Sequence, residues 1–355
     1  MIDKQTFSKE WILKVKRVER SDQGIIERQI YALHLLETLR NSFENFIFKG
    51  GTCLSLIAEE FPRFSVDIDI LVKPQFKTFF DAENLSAMIK DSEFQRVIED
   101  TRQPRHDIDK QHFEFHYNGA INGETYILLD VVYDESKYKD LIKVDIMNYL
   151  IKTTNPNVSV IAPSVHDLLA DKLCAFAPNT IGKKLNENRD IEVVKQMFDV
   201  SFLMKRYPFS PSYKTIYENI TQVEIKRRNL KIVVIDVLND TIKTSLNIIS
   251  EGSLDSNQYQ LIKNAIKGFS SFTRDLSYNV DKARESALDV LHASLLVFAG
   301  DEETLLKIAD EQTEFLKEYQ IFKRSRKQLA AIDPELPKLL NICLKCMSHF
   351  KISLS

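Results

Sequence analysis

Glycine is scarce in this chain, nine residues in 355, so there are few places where the backbone can turn left-handed or let another group close against it. Cysteine is scarcer still. Four in a chain of this size exclude a disulfide framework. Neither sign of charge dominates: 48 Lys and Arg stand against 51 Asp and Glu, a net charge of -3. The molecule as a whole is therefore no polyanion magnet, and contact with nucleic acid would need a local basic patch. No apolar run approaches the length of a bilayer span, and the opening residues MIDKQTFSKEW lack the apolar core of a signal peptide. A cytoplasmic protein without membrane partners is the expectation. Cys343, Cys346 and His349 form a CxxCxxH string, but no second ligand cluster accompanies it. Its surroundings, LPKLLNICLKCMSHF, read as an apolar helix with small residues on one face.

What is present is an ordinary globular composition, 44% hydrophobic and 28% charged, long enough for two cores. Residues 6–22 and 24–42 carry helical spacing, with Ile25, Ile26, Ile30, Leu33 and Leu36 along one face. NFIFKG reads as a short strand ending at Gly50 and Gly51, followed by a helix for which Thr52 is the expected N-cap. VDIDILV (66–72) reads as a strand and residues 76–99 as helix. HFEFHY and TYILLDVVY read as paired strands around the turn signal NGAING. VSVIA is a further strand, with Pro163 and Ser164 opening the next helix. Residues 188–206 read as helix, and the two prolines of RYPFSPSY mark a domain joint. Beyond them nearly everything is helical, including ESALDVLHASLLVFAG with its stop at Gly300. The spacing predicts a mixed α/β domain over 1–207 and a helical bundle over 208–355.

Two local features resist a purely structural reading. A strand ending in Gly-Gly-Thr before a helix offers uncovered backbone N–H groups and a positive helix end, which is a seat for phosphate. A tight strand-to-helix turn with no ligand accounts for it equally. It is not a P-loop, since Lys49 precedes the glycines instead of following them. In VDIDILV, side-chain alternation puts Asp67 and Asp69 on one face and Ile68 and Ile70 on the other. Carboxylates roughly 5–7 Å apart repel by about 2–3 kcal/mol at an effective dielectric of 20. A divalent cation between them removes that penalty, and an exposed edge strand avoids it.

Together the features are more specific. KGGTCLSL…PRFSVDIDI resembles the nucleotidyltransferase signature of the DNA polymerase β-like superfamily, in the form shown by AbiEii/AbiGii-type toxins. Lys49, Gly50, Gly51, Thr52, Leu54, Arg63, Ser65, Asp67, Ile68 and Asp69 stand where that pattern has them. LLADKLCAF is similar to the helix that carries the family's active-site lysine, which assigns Lys172. VVKQMFDVSFL resembles a further segment and brings in Asp199, although Lys195-Gln196 stand where the family commonly has Arg-Asp; Arg189-Asp190 is a substitute upstream. The resemblance covers roughly residues 25–205, and the helical remainder is compatible with the family.

The resemblance implies Mg²⁺-dependent (or Mn²⁺-dependent) transfer of a nucleoside monophosphate from an NTP to an acceptor hydroxyl, with release of pyrophosphate. It implies Asp67 and Asp69 as metal ligands, with a third acid on a neighbouring strand. Asp130 in YILLDVVY is preferred for that role and Asp145 in IKVDIMNY is the alternative. Lys49, Gly50, Gly51, Thr52, Ser65 and Lys172 would hold the nucleotide. Asp199 completes the catalytic set, and Arg63 either touches phosphate or pairs at the surface. His106, His112, His116 and His166 show no ligand spacing. A toxin with an antitoxin as partner and RNA such as tRNA as candidate acceptor follows from the resemblance. EIKRRNLK and FKRSRKQ offer basic patches for such an acceptor. A small-molecule nucleotidyltransferase and a non-catalytic nucleotide-binding protein are the rival readings.

Overall fold

The computed structural model describes residues 1–19, 21–58, 60–100, 109–186, 189–274, 278–313 and 317–354; His106 lies outside the described residues. The first part of the chain runs α1 (Lys9–Glu19), α2 (Gln23–Ser42), β1 (Phe46–Lys49), α3 (Gly50–Ile57), β2 (Ile68–Val72), α4 (Ala82–Met88), β3 (Phe94–Glu99), β4 (Lys110–Gly119) and β5 (Gly123–Tyr133). A separate hairpin, β6 (Leu141–Asp145) with β7 (Ser159–Pro163), follows. The five strands form a mixed sheet in the order β1-β2-β5-β4-β3. Only β2 and β5 run parallel.

One face of this sheet is the core. Phe113, Phe115, Ile127, Leu129, Val131, Ile68 and Ile70 are fully buried there, each worth about 1.5–3 kcal/mol of burial. α2 covers that face, its Tyr31 ring stacked 3.6 Å from Tyr117 of β4. The buried Glu27 of α2 accepts hydrogen bonds from the N–H groups of Ile121 and Asn122, at 2.9 and 2.8 Å, and so fixes the tip of the β4–β5 hairpin. Because alternate residues point to opposite faces, His112, Glu114 and His116 of β4 and Asp130 of β5 all lie on the other, partly open face.

The structure corrects several sequence expectations. Residues 94–99 form β3 and not the end of a helix. On this edge strand Gln95, Arg96, Ile98 and Glu99 are all exposed, so the polar content masked the strand pattern. Thr52 is not an N-cap: α3 begins at Gly50 with Lys49 at the cap position. Pro163 ends β7 and does not open a helix. The division into units also falls elsewhere than residue 207. One unit comprises Met1–Ser164 with Ser271–Leu276, the other Val165–Ser270 with Ser277–Ser355. The helices after Ser164 are packed among the bundle helices, so they belong to its core and not to the sheet. Residues 271–274 return to the first unit, where Phe64 N donates to Phe272 O and Arg274 N to Pro62 O, at 2.8 and 2.9 Å. That short pairing braces the loop leading to Asp67.

The second unit consists of α5 (Val165–Ala175), α6 (Asp190–Arg206), α7 (Tyr213–Arg227), α8 (Val234–Ile249), α9 (Ser256–Phe269), α10 (Val280–Ala299), α11 (Glu302–Glu311), α12 (Lys323–Ile332) and α13 (Leu336–His349). α10 is its central helix, packed against α6, α8 and α13 and buried through most of its length. It ends at Gly300, whose φ of 93° suits glycine. Inside it, the buried Arg284 donates through Nε to Ile249 O and through Nη2 to Gln328 Oε1. Cys343 and Cys346 lie fully buried on α13, where burial pushes both thiols up, Cys346 to about 11. They are packed as neutral thiols, which are poor metal ligands.

In the first unit, His34 of α2 is wedged between rings, stacked on Phe94 and edge-on to Phe7. Its Nε2 accepts from Glu93 N at 3.2 Å. Burial lowers its pKa to about 4. The folded chain thus carries neutral His34 while the unfolded chain takes a proton below about pH 6.5. Its contribution is complete above that pH and is lost as pH falls toward 4. Urea unfolding of the wild type and His34→Gln between pH 7 and pH 4 should show the difference in stability moving against the wild type by about 2–3 kcal/mol on acidification. A pH-independent difference would mean that the imidazole is not held neutral.

Candidate active site

The site is a row across the sheet. The register pairs Lys49 of β1 with Asp69 of β2, Asp69 with Asp130 of β5, and Asp130 with His112 of β4. All four residues share the partly open face. The side chains follow the backbone register. Lys49 Nζ lies 3.9 Å from Asp69 Oδ1, and His112 Nδ1 lies 2.6 Å from Asp130 Oδ1. The two carboxylates in the middle are about 30% exposed. Asp67 precedes β2 by one residue and is half-buried, two positions from Asp69. The structure therefore sets Asp130 beside Asp69. Asp145 stands on β6 of the separate hairpin, exposed, where it accepts from Ser159 Oγ at 2.5 Å and is held below the usual carboxylate range by that bond.

The glycines fit this arrangement closely. Gly50 has φ +84°, and a Cβ on it would come within 2.1 Å of Asp69 Oδ2. A Cβ on Gly51 would meet Ser65 Oγ at 2.6 Å and Arg63 Nη2 at 2.7 Å. The close approach that glycine permits here is first of all that of Asp69, Ser65 and Arg63. Arg63 is accordingly buried, donating to Phe64 O and lying over the Phe61 ring. Thr52 uses its hydroxyl for structure: Oγ1 donates to Asp67 O at 2.6 Å, tying α3 to the aspartate strand. Ser65 N donates to Gln29 Oε1 of α2. The α3 N-terminus still presents its first N–H groups at the glycines, where no intrahelical partner exists for them. A cavity of about 210 Å³ opens near the far end of α3, between Ser55, Phe61, Arg63, Asn148 and Tyr149, and none of the three carboxylates lines it.

The donor set suits a hard divalent cation, being oxygen only, with two carboxylates in register and a third on the same chain segment. Among the described residues no three His, Cys, Asp or Glu side chains are gathered tightly enough to cage an ion. Mg²⁺ is commonly held by one or two carboxylates together with substrate phosphates, and the Asp69–Asp130 pair fits that mode.

The second unit carries the remaining pair. Lys172 of α5 and Asp199 of α6 are both buried, with Nζ 3.1 Å from Oδ2. Asp199, assigned from sequence on an incomplete motif, is thereby the partner of Lys172. Arg189 and Asp190, the alternative, lie at the start of α6. Of the basic runs, Arg227 and Arg228 pair with Glu224, whereas Lys323, Arg324 and Lys327 of α12 are exposed. His112 is the site residue that sequence reasoning missed. Its only signal was its place in an alternating strand opposite an aspartate.

Compared with known proteins, residues 34–290 match the model of the family described as nucleotidyl transferase AbiEii toxin, type IV TA system, well over half of the chain. Among solved structures, the chain is similar to MenT4, a nucleotidyltransferase toxin from Mycobacterium tuberculosis H37Rv, at 11% identity and a TM-score of 0.46, covering 81% of this chain and 98% of that one. No curated protein matches it.

The Lys172–Asp199 pair makes a direct stability test. Removing one member takes its opposite charge from the other, which stays buried, at a cost of up to about 3–5 kcal/mol, whereas replacing both is tolerated far better. Lys172→Met should lower unfolding free energy by that amount, and adding Asp199→Leu should restore most of it. If Lys172→Met alone unfolds like the wild type, the pair is not a buried ion pair in solution.

Proposed function

The chain belongs to the AbiEii family of nucleotidyl transferase toxins of type IV toxin–antitoxin systems, and from that premise we propose that it moves a nucleoside monophosphate from an NTP to the hydroxyl of an RNA acceptor. The observation that carries the reading is the in-register row Lys49–Asp69–Asp130–His112 beside the open N-terminus of α3. Oxygen ligands, a helix end for phosphate and a nearby cation are what the transfer of a charged phosphoryl group needs.

In this reading the acceptor oxygen bonds to the α-phosphorus, the bond to the β-phosphate bridging oxygen breaks, and pyrophosphate leaves. Asp67, Asp69 and Asp130 would hold Mg²⁺ or Mn²⁺, which when bound supplies positive charge to the attacking and leaving oxygens. Asp130 also accepts the acceptor's proton. The N–H groups at Gly50, Gly51 and Thr52 hold the β- and γ-phosphates, with Lys49 and Ser65 at the edges of that seat. Thr52 takes part through its backbone, its hydroxyl being bound to Asp67 O. The family resemblance implies that Lys172 neutralises phosphate charge; its ammonium is held in the second unit by Asp199, 3.1 Å away.

The exposed Lys323, Arg324 and Lys327 of α12 favour a polyanionic acceptor over a small molecule. The family implies a cognate antitoxin as partner. No helix among the described residues is long and apolar enough to cross a membrane, and NTP and RNA are cytoplasmic substrates.

Incubation with each α-³²P-labelled NTP, total RNA and a panel of small hydroxyl acceptors, with and without Mg²⁺, tests the proposal. Label should enter RNA only when the metal is present. Asp69→Asn should lower that incorporation more than about a hundredfold while keeping the wild-type melting temperature. Label confined to small acceptors, or full incorporation by Asp69→Asn, would overturn it.

A further inference from the structure

We propose that His112 is a positioning residue for the metal site, its imidazole setting the orientation of the Asp130 carboxylate. The inference rests on the reading of Asp130 as a metal ligand.

The two residues are direct cross-strand partners, which places their Cβ atoms about 4.5–5.5 Å apart. Nδ1 lies 2.6 Å from Asp130 Oδ1, and opposite a carboxylate oxygen, which accepts, the ring nitrogen is the donor of a short hydrogen bond. Its backbone is well fixed. β4 is paired on both sides, with β5 and with β3, and the residues flanking His112 in register include the fully buried Phe113.

The need for such a bond follows from the row itself. Asp130 stands next to Asp69, so repulsion favours rotamers that swing the carboxylates apart. Rotation about the two side-chain torsions of an aspartate is easy at a half-exposed site. A directional donor on the far side holds one oxygen and so sets the plane of the group. Lys49 does not do the same for Asp69, because 3.9 Å is beyond hydrogen-bonding distance. Lys49 supplies charge, whereas His112 supplies a directed hydrogen bond. The other histidine of the same strand face, His116, is engaged elsewhere, with Glu114 and the Tyr126 ring.

Partners behind metal ligands commonly change metal affinity 10–100-fold when removed. The test is Mn²⁺ binding to the full-length protein, followed by electron paramagnetic resonance without nucleotide, alongside kcat and KM for the NTP. Variants His112→Ala, His112→Asn and Asp130→Asn are compared after their melting temperatures show that they fold. His112→Ala should weaken Mn²⁺ about tenfold or more and lower kcat with little change in KM. His112→Asn, whose amide nitrogen takes the place of Nδ1, should stay within about threefold of wild type on both counts. Wild-type binding by His112→Ala, with loss in Asp130→Asn, would overturn the positioning role alone. Equal loss in the Ala and Asn variants would overturn it in favour of direct ligation by the imidazole. Wild-type binding by Asp130→Asn, or no Mn²⁺ binding by the wild type, would overturn the reading of Asp130 on which the inference stands.

Discussion

Two ionised carboxylates held side by side on neighbouring parallel strands repel by about 3 kcal/mol at a separation near 5.5 Å and an effective dielectric of 20. The first unit pairs Asp69 with Asp130 in that way, and much of its local structure answers the resulting strain. Lys49 and His112 flank the pair from the outer strands of the row, so that two acids stand between two nitrogen bases. Gly50 leaves room for Asp69 in a conformation that few other residues would accept. Thr52 binds the carbonyl of Asp67 and joins the helix to the strand. Of these contacts only those of Lys49 and His112 reach the carboxylates and offset part of the repulsion, and a divalent cation would remove the rest.

The opposite face explains how the strain is tolerated. Ile68, Ile70, Leu129 and Val131 are fully buried beneath the acids, so every second residue of β2 and β5 anchors the strand that the intervening residue strains. The brace at residues 271–274 and the Glu27 clamp on the β4–β5 tip hold the two ends of the region. In the helical unit the charged pair Lys172–Asp199 follows the other course, buried and neutralised internally. Such a pair contributes little net stability but fixes where its ammonium sits.

Much of this was legible in the sequence because it lies in local patterns. The alternation of VDIDILV and YILLDVVY gave the two strands and the faces of their acids, and the Gly-Gly pair marked the strand-to-helix turn. Register was not legible, since it depends on tertiary pairing, and register is what sets Asp130, rather than Asp145, beside Asp69 and opposite His112. β3 was masked because an edge strand exposed on both sides has no apolar period. β6 alternates Ile142 and Val144 with Lys143 and Asp145 but was not read as a strand, and it is exposed at every residue but Val144. Thr52 looked like a cap because its true partner lies fifteen residues ahead. The return of residues 271–276 to the first unit left no trace in composition at all.

The central claim is that Asp69 and Asp130 share a divalent cation. Anomalous diffraction at the manganese edge, on crystals grown with Mn²⁺ and a non-hydrolysable NTP analogue, tests it most directly. The account predicts a manganese peak within about 2.0–2.4 Å of an oxygen from each carboxylate, with the triphosphate at the N-terminus of α3. A bound analogue whose manganese touches neither Asp69 nor Asp130 would contradict it.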